Sequence, residues 1–347
     1  MDKGRKKLKY VGIGILSIAV LILIFFGGLR TAGRNSLRNR AVIGSQILSE
    51  YTADAETGGE NEGMIYRNGA GYRYNENLYT ILCMGIDVRM LTLVQKAETG
   101  QGSQSDANFL LVIDNENKKI SIVAIPRDTM TDIDLYDGDG QCYDTVKAQL
   151  ALQYAYGDGG TLSCTATQKT VSRMFYGIPI HAYAAIDMNV IPIVNDAVGG
   201  VTVEVLENIV NDGSPMMKGQ TITLKGEQAT VYVQSRDTGV DFSAQSRLMR
   251  QKQYLTAFTE QAMLATKEDI TLPVSVYNAI QSYMITDITS SELTYLVTSA
   301  MGCDFSEEDF YVIPGKQEKG YFYEEYHVDE EALINLILDV FYIPVEK

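Results

Sequence analysis

The sequence lacks the short motifs that mark the commonest nucleotide-binding and hydrolytic enzymes. It contains no Walker A loop, no GxGxxG turn and no GxSxG nucleophile elbow, and the chemistry of each of these sites depends on that spacing. Histidine is almost absent, since His181 and His327 are the only two. A histidine general base is therefore weakly supported, and we expect both side chains to be structural or exposed.

Cysteine is also scarce, and its spacing is irregular. Cys83, Cys142, Cys164 and Cys303 form no CxxC pair, which argues against a zinc site. Cys83 lies inside an apolar run and is expected in the core. Cys142 and Cys164 flank a predicted helix and could pair in an oxidising compartment, but the spacing does not choose among the alternative connectivities.

Positive charge is scarce over most of the chain. Residues 1–40 hold nine Lys and Arg against one Asp, whereas the remainder holds 20 Lys and Arg against 43 Asp and Glu, a net charge of −23. This acidic body argues against nucleic acid as a partner, because phosphate contacts dominate such binding. Any anionic substrate must be captured where the charge is locally reversed.

Only one long hydrophobic run is present, Tyr10 to Leu29, with 20 uncharged residues. At ~1.5 Å per residue it matches a bilayer core of about 30 Å, and it exceeds the roughly 7–15 residues of a signal-peptide core. The basic residues on its two sides are nearly balanced, so charge alone orients it weakly. We expect a single-pass protein of the cell membrane: a basic cytoplasmic tip (1–9), a transmembrane helix (10–29), a juxtamembrane helix and linker (30–71), and an extracytoplasmic domain (72–347).

Three short apolar runs predict buried strands over Tyr79–Ile86, Asn108–Ile113 and Ile120–Ile125. The polar loop 114–118 between the last two has the length of a hairpin connection. The acid-rich segment 132–140 does not match the EF-hand spacing and is expected to be a solvated loop. Further strands are predicted over Ala182–Ile186, Val201–Val205 and Gln220–Leu224, and helices over Asp144–Tyr156, Thr161–Phe175, Ala244–Thr266, Val274–Met284, Ser291–Met301 and Asp329–Phe341, an alternation that indicates a layered α/β domain.

Charged residues stand at the ends of these first three strands. Asp87 and Arg89 follow the first, Asp106 precedes the second, and Arg127 and Asp128 follow the third. The rim of a buried sheet is where α/β proteins commonly keep their chemistry. Asp87 and Asp106 could therefore hold Mg²⁺ against a diphosphate, since Mg²⁺ takes one or two carboxylates and completes its shell with water and phosphate. The alternative is that they are turn and cap residues.

Arginine is clustered. Only eight arginines follow residue 40, and five of them lie at these strand ends or within residues 232–251. Arg247 and Arg250 are three residues apart and share a helix face. Arginine suits bidentate contact with phosphate, although structural ion pairs are an equal alternative. Asp241 precedes this helix and is a cap or a general base.

Taken together, several short motifs resemble those of the LytR–CpsA–Psr (LCP) family of membrane-anchored cell-wall enzymes. The likeness runs from about Tyr79 through Leu264, and the order and spacing of the motifs are together specific. It rests on Met84-Gly85-Ile86-Asp87-Val88-Arg89, Ser105-Asp106, Ile125-Pro126-Arg127-Asp128-Thr129, Asn195-Asp196-Ala197-Val198-Gly199-Gly200-Val201, Leu224-Lys225-Gly226-Glu227-Gln228-Ala229, and Asp241 with Arg247-Leu248-Met249-Arg250-Gln251.

The resemblance implies transfer of a glycopolymer from an undecaprenyl-pyrophosphate carrier to peptidoglycan through a phosphodiester link. It also implies a central mixed sheet flanked by helices and an apolar groove for the polyprenyl chain. Asp87 and Asp106 would hold Mg²⁺ or Mn²⁺, Arg127 would be catalytic, and Asp241 is the candidate base for the acceptor hydroxyl. The phosphate-binding set would be Arg89, Arg127, Arg236, Arg247, Arg250 and Gln251.

Two positions depart from the family pattern. Gln104 stands where many members carry arginine before the Ser-Asp pair, and Gln234 stands in a segment that often carries two arginines, of which only Arg236 remains. Fewer positive charges are also compatible with a weakly catalytic protein that binds lipid-linked glycan, or with a pyrophosphatase in which water replaces the acceptor. These alternatives stay open on the sequence.

Overall fold

The structure, a computed structural model, describes residues 27–41, 64–87, 102–210, 215–235, 243–321 and 323–345. The first described helix, α1, covers residues 27–39, so most of the predicted transmembrane run and the linker 42–63 lie outside the described residues. Within the described part, none of the helices is both long enough and apolar enough to span a membrane. The predicted transmembrane helix therefore stays a prediction.

Strands and helices alternate along the described chain. The strands are β1 (Met64–Arg67), β2 (Ala70–Tyr74), β3 (Leu78–Ile86), β4 (Ser105–Asp114), β5 (Lys119–Ile125), β6 (Met130–Tyr136), β7 (Cys142–Gln149), β8 (Ala182–Asp187), β9 (Val201–Glu204), β10 (Thr221–Leu224), β11 (Met284–Thr286), β12 (Phe310–Val312), β13 (Gly315–Lys319), β14 (Glu324–Val328) and β15 (Tyr342–Val345). The helices after α1 are α2 (Ala151–Ala155), α3 (Thr161–Met174), α4 (Val190–Ala197), α5 (Glu227–Gln234), α6 (Ser243–Glu268), α7 (Leu272–Ile280), α8 (Ser290–Ala300) and α9 (Glu330–Phe341).

Six of these strands form the central sheet, in the order β11-β8-β3-β4-β5-β12. Strands β3, β4 and β5 are antiparallel neighbours, whereas β8 runs parallel to β3 and β12 runs parallel to β5. The sheet is therefore mixed, and the α/β class is confirmed together with the three predicted strands and the hairpin between β4 and β5.

The two faces of this sheet pack against different helices, because successive side chains of a strand point to opposite sides. On one face, buried residues such as Leu82, Leu110 and Val123 pack with Phe175 of α3 and Phe341 of α9 in the main core. On the other face, smaller side chains of the same strands point toward α6. That second face becomes the floor of the candidate site.

A smaller unit built from α4, β9, β10 and α5 supports α6. The Asn195 side chain donates to the Leu224 carbonyl at 2.9 Å and accepts from the Val201 amide at 3.2 Å. Gly200 has φ +89°, and an added Cβ would lie 2.7 Å from the Leu224 carbonyl oxygen. Two of the short motifs, Asn195–Val201 and Leu224–Ala229, therefore meet in space and lock the β9–β10 hairpin that α6 packs against.

The predicted helix over Asp144–Tyr156 is wrong over its first half. Residues Cys142–Gln149 form β7, which pairs antiparallel with β6, and only Ala151–Ala155 are helical. The acid-rich segment 132–140, expected to be a solvated loop, belongs to strand β6 as far as Tyr136, and Asp134 within it is 1% exposed. Only residues 137–141 form the turn of this hairpin, in which the Asp137 side chain accepts from the backbone amides of Asp139 at 3.0 Å and Gln141 at 2.8 Å. An aspartate that caps its own turn favours a hairpin. Pairing with β6, whose residues lie six to 19 positions earlier in the chain, overrode the local helical pattern.

Two further expectations need correction. All four cysteines are unpaired, with Cys142 exposed and Cys164 buried, so the suggested disulfide is not formed. The region after residue 270 does pack on the core through α9, but it also adds β12 to the central sheet and forms the β13–β14 hairpin. β12 has only three residues, and β13 and β14 carry mostly polar residues without clear alternation, so the sequence alone did not reveal these strands.

Candidate active site

A cavity of about 1140 Å³ lies between the second face of the central sheet and α6. Its floor is formed by Cys83 and Gly85 of β3, Ala107 and Phe109 of β4, and Ala124 of β5, which the strand register places side by side. Three of the five are Gly or Ala, so the sheet contributes little volume here and α6 cannot close the space. The cavity is a consequence of small residues on one face of the sheet.

The walls of this cavity are largely apolar. Helix α6 contributes Leu248, Leu255 and Phe258, which recur at helical spacing, and the walls on the other sides include Val194 and Phe310. Burial raises the pKa of the Cys83 thiol to about 12, so this cysteine stays protonated at neutral pH and is not a nucleophile. The deep part of the cavity is suited to an apolar chain rather than to catalysis.

Charged residues gather where the cavity meets the strand ends. Asp87, Asp106, Arg127 and Asp128 line it together with Arg247 of α6. These residues come from three different strand ends and one helix, as the sequence predicted. Gln251 and Gln234 also line the cavity. Gln104 accepts a hydrogen bond from Arg127, which lines it. Gln104 and Gln234 are the two positions that depart from the family pattern.

Arg127 is held between two acceptors. Its Nη1 donates to Asp106 Oδ1 and its Nη2 donates to Gln104 Oε1, while Nε lies 3.5 Å from Asp128 Oδ1. The backbone of Arg127 is fixed as well, because its carbonyl accepts from the Ala151 amide at 3.1 Å. About a fifth of the side chain stays exposed, at 20%, so the guanidinium is oriented without being sealed off.

Asp106 joins the sheet to α6. Its second oxygen, Oδ2, lies 3.7 Å from Nη1 of Arg247, so one carboxylate lies between two guanidinium groups. Arg247 and Gln251 are one helical turn apart and both line the cavity. The two guanidinium groups around Asp106 are the cationic donors that an anionic ligand would meet at this mouth. Asp87 and Asp128 also line it, so the mouth carries no excess of positive charge by itself.

The donors present are compatible with a hard cation. Asp87 and Asp106 line the same cavity, and the Asp87 amide donates to the Gln104 carbonyl at 3.1 Å, which ties the two strand ends together. In the described residues no group of three or more His, Cys, Asp or Glu could hold a metal by itself. Two carboxylates with water and phosphate oxygens are the usual set for Mg²⁺, so the residues fit Mg²⁺ or Mn²⁺ held jointly with a ligand.

Asp187 is a cavity residue that was not predicted. It ends β8 beside Ile86, is 1% exposed, and accepts from the Asn189 amide at 2.8 Å. Asp87 was predicted because it directly follows a predicted strand. Asp187 directly follows the predicted strand Ala182–Ile186, so the same rule would have found it. The β13–β14 hairpin adds Lys316 and Glu318 to the lining, for which the sequence had no comparable signal.

Arg250 is placed in the support of the site rather than in its lining. It is 1% exposed, donates from Nη1 to the Tyr232 carbonyl and from Nη2 to the Ser235 carbonyl, and donates from Nε to Glu207 at 2.8 Å. These bonds satisfy carbonyls at the end of α5, which have no partner inside the helix. The structure thus ties α5 to α6 through Arg250, and a phosphate contact by this residue stays a prediction.

Three of the predicted residues lie outside the described part of the chain: Arg89, Arg236 and Asp241.

Both histidines are placed as expected. His181 is buried and accepts from the Thr80 amide at 3.1 Å, and burial lowers its pKa to about 4. His327 is half-exposed and lies 3.0 Å from Glu325.

Comparison with known proteins identifies relatives in sequence and in fold. The LytR_cpsA_psr family matches residues 45–336. A protein from Bacillus cereus named polyisoprenyl-teichoic acid–peptidoglycan teichoic acid transferase TagU is 30% identical over 258 residues, which cover 73% of this chain and 74% of that protein. Among solved structures, TagV of B. subtilis superposes with a TM-score of 0.56 at 24% identity, covering 76% of this chain and 98% of TagV. Protein gbs0355 of Streptococcus agalactiae superposes with a TM-score of 0.59 at 21% identity, covering 76% and 88%. The chain belongs to the LytR–CpsA–Psr family.

Proposed function

We propose that this protein transfers a glycopolymer from an undecaprenyl-pyrophosphate carrier to peptidoglycan, forming a phosphodiester link. The observation that carries the proposal is the juxtaposition of an apolar cavity of about 1140 Å³ with a mouth that holds Arg127, Arg247 and Asp106. A lipid with an apolar tail and a diphosphate head presents the same two chemistries in the same order. The teichoic acid transferase name of the B. cereus relative supports this substrate class.

In the proposed reaction, an acceptor hydroxyl oxygen attacks the phosphorus that carries the glycan. The bond between this phosphorus and the bridging oxygen breaks, so polyprenyl phosphate leaves and the glycan phosphate is joined to the acceptor. The hydroxyl proton passes to a base, for which Asp241 is the candidate. Phosphoryl transfer asks the protein mainly for position and for charge stabilisation.

The chain's own residues supply both requirements. The Arg127 guanidinium is oriented by Gln104 and Asp106, so it needs no reorganisation when charge develops on the leaving phosphate. Arg247 approaches from α6 and faces the same region. Mg²⁺ or Mn²⁺ held by Asp87 and Asp106 would neutralise further charge on the diphosphate oxygens when bound.

The proposal includes the location of the reaction. A polyprenyl carrier is embedded in a bilayer, and the apolar run of residues 10–29 supplies a membrane anchor of the required length. The domain is then extracytoplasmic, where peptidoglycan lies. Thiol labelling in intact cells tests this: Cys142 is exposed in the folded domain, so a membrane-impermeant thiol reagent should label it without lysis. Labelling only after lysis would contradict the orientation.

The experiment that tests the function uses the full chain with a polyprenyl-pyrophosphate sugar and Mg²⁺. Release of polyprenyl phosphate and phosphodiester formation are followed with and without a peptidoglycan acceptor. We expect both products with the acceptor, and loss of both on chelation of the metal or in Asp87→Ala. Release without transfer would identify a pyrophosphatase, and tight lipid binding without release would identify a scaffold; either result would overturn the transferase proposal.

A further inference from the structure

A second cavity, of about 360 Å³, lies where α1 meets the tip of the β4–β5 hairpin. Its positively charged residues are Arg30 and Arg34 of α1 and Lys118 of the hairpin turn. It is separate from the cavity described above, and the two share no lining residue. The remaining lining that can donate hydrogen bonds comprises Thr31, Asn35, Asn77, Asn115 and Tyr295.

Helix α1 is fixed to the domain at this point. Leu37 is fully buried in a cluster that includes Tyr79 and Tyr295. An added Cβ on Gly33 would lie 2.1 Å from the Ser291 carbonyl oxygen, so the helix backbone rests directly against the start of α8. The cations of α1 are therefore presented in a defined position, and they do not move freely on a tether.

The three cations have no carboxylate partner in the described part of the chain. Two nearby acids have other partners: Glu76 lies 3.4 Å from Arg38, and Glu116 accepts from the side chain of Asn77, itself a lining residue, at 3.1 Å. Arg34 has the Tyr79 hydroxyl as its hydrogen-bond partner, which raises the pKa of Arg34. Arg30 lies over the Tyr295 ring, 5.9 Å from its centroid. In a chain with a net charge of −15, these three cations thus have aromatic contacts or solvent around them rather than a paired carboxylate.

The chemistry of this lining is that of a phosphate site. Guanidinium and ammonium groups give charge-assisted bonds to phosphate oxygens, and amide NH₂ groups can complete the set. Its place in the chain indicates the source of the phosphate. Arg34 is five residues beyond Leu29, where the apolar run ends, or about 7.5 Å along a helix. That distance corresponds to the headgroup layer, since the bilayer extends about 5–8 Å beyond its hydrocarbon core on each side.

We propose that this cavity binds the phosphate of a membrane phospholipid headgroup, with anionic lipids preferred. The proposal rests on the membrane anchor in the apolar run and is independent of the transfer reaction. Together with the docked α1, a bound headgroup would hold the domain in one orientation on the bilayer surface.

The test measures lipid binding by the full chain, purified in a neutral phosphate-free detergent, by native mass spectrometry. Short-chain phosphatidylglycerol is compared with phosphatidylcholine and with inorganic phosphate. We expect one phosphatidylglycerol to be retained, with weaker binding of the other two and a fall in affinity as salt is raised. Lys118→Gln and Arg34→Gln should each weaken phosphatidylglycerol binding about fivefold.

Arg38→Gln is the matched control, because Arg38 lies one turn from Arg34 on the same helix and pairs with Glu76 outside the cavity. We expect it to leave lipid binding unchanged. Lys118 is an exposed turn residue, so its substitution does not disturb the core even if Arg34→Gln does. Equal loss in all three variants would show only general attraction to a basic helix. Equal binding of inorganic phosphate and lipid would show an adventitious anion site, and either result would overturn the proposal.

Discussion

Two clusters of aspartate and cationic side chains in this protein use the same residue types for opposite purposes. Around Asp134, Arg173 Nη1 donates at 3.0 Å and Lys169 Nζ at 3.1 Å, and the Asp134 side chain is 2% exposed. Around Asp106, Arg127 and Arg247 approach from two elements, and the Asp106 side chain is 23% exposed. The first cluster joins β6 to α3, whereas the second borders a large cavity.

The difference between the two clusters shows that an arginine next to an aspartate does not by itself indicate a functional site. Although burial raises the pKa of Asp134, the hydrogen bonds and charges of Lys169 and Arg173 hold it below its ordinary value. None of the three residues of that cluster lines either of the two cavities described above. The Asp106 cluster remains accessible from the cavity, so its charges can interact with a substrate.

The largest expected effect is on the closed cluster. Asp134→Asn should destabilise the fold by about 3 kcal/mol, because it leaves the Arg173 guanidinium without its buried partner. Thermal unfolding followed by far-ultraviolet circular dichroism measures this. Because the pKa of Asp134 is lowered by folding, its contribution persists at neutral pH and is lost only as pH falls below about 3.8. A change under 1 kcal/mol would mean that the cluster is not structural.

Protonation of His181 should also lower the free energy of unfolding, in a pH range above the one in which Asp134 is protonated. Folding lowers its pKa from 6.5 to about 4, so the unfolded chain binds more protons between these values and stability falls as pH drops through this window. The slope is at most about 1.4 kcal/mol per pH unit. His181→Asn keeps an acceptor for the Thr80 amide and should flatten the profile. An unchanged slope in this variant would assign the pH dependence to other groups.

In the open cluster, Arg247→Gln should weaken binding of polyprenyl pyrophosphate about tenfold, because one charge-assisted phosphate contact is lost. Equilibrium binding to the full chain without acceptor measures the effect. Arg67→Gln is the control, since Arg67 pairs with Glu331 at 3.6 Å on the surface and is absent from the cavity lining. Equal losses in the two variants would argue against a phosphate contact by Arg247.

The smallest expected effect belongs to Gln104. Its side chain is one of two acceptors that orient Arg127, so Gln104→Ala should lower the rate of transfer about fivefold through loss of one hydrogen bond. The Michaelis constant and the melting temperature should stay nearly unchanged. Gln104→Glu retains the acceptor and should recover most of the rate. Failure of this variant to do so would show that Gln104 does not act through Arg127.

Much of this site was predictable from the sequence because strand ends are local signals. Asp87, Asp106 and Arg127 were found from their positions beside apolar runs, Arg247 from its helical spacing to Arg250, and Gln251 only from the family resemblance. The function of Arg250 was not predictable, because a partner 43 residues away at Glu207 and two α5 carbonyls determine where its guanidinium lies. Strand β7 was missed for the same reason, since its conformation depends on pairing with β6 rather than on its own composition.

The most direct test of the comparison measures polyprenyl phosphate release and thermal unfolding side by side in Arg127→Ala and Asp134→Asn. We expect Arg127→Ala to lose about 10³-fold in turnover with little change in melting temperature. We expect Asp134→Asn to lower the melting temperature while the folded fraction keeps its turnover. Retained turnover in Arg127→Ala, or loss of turnover in fully folded Asp134→Asn, would contradict the assignment of the two clusters.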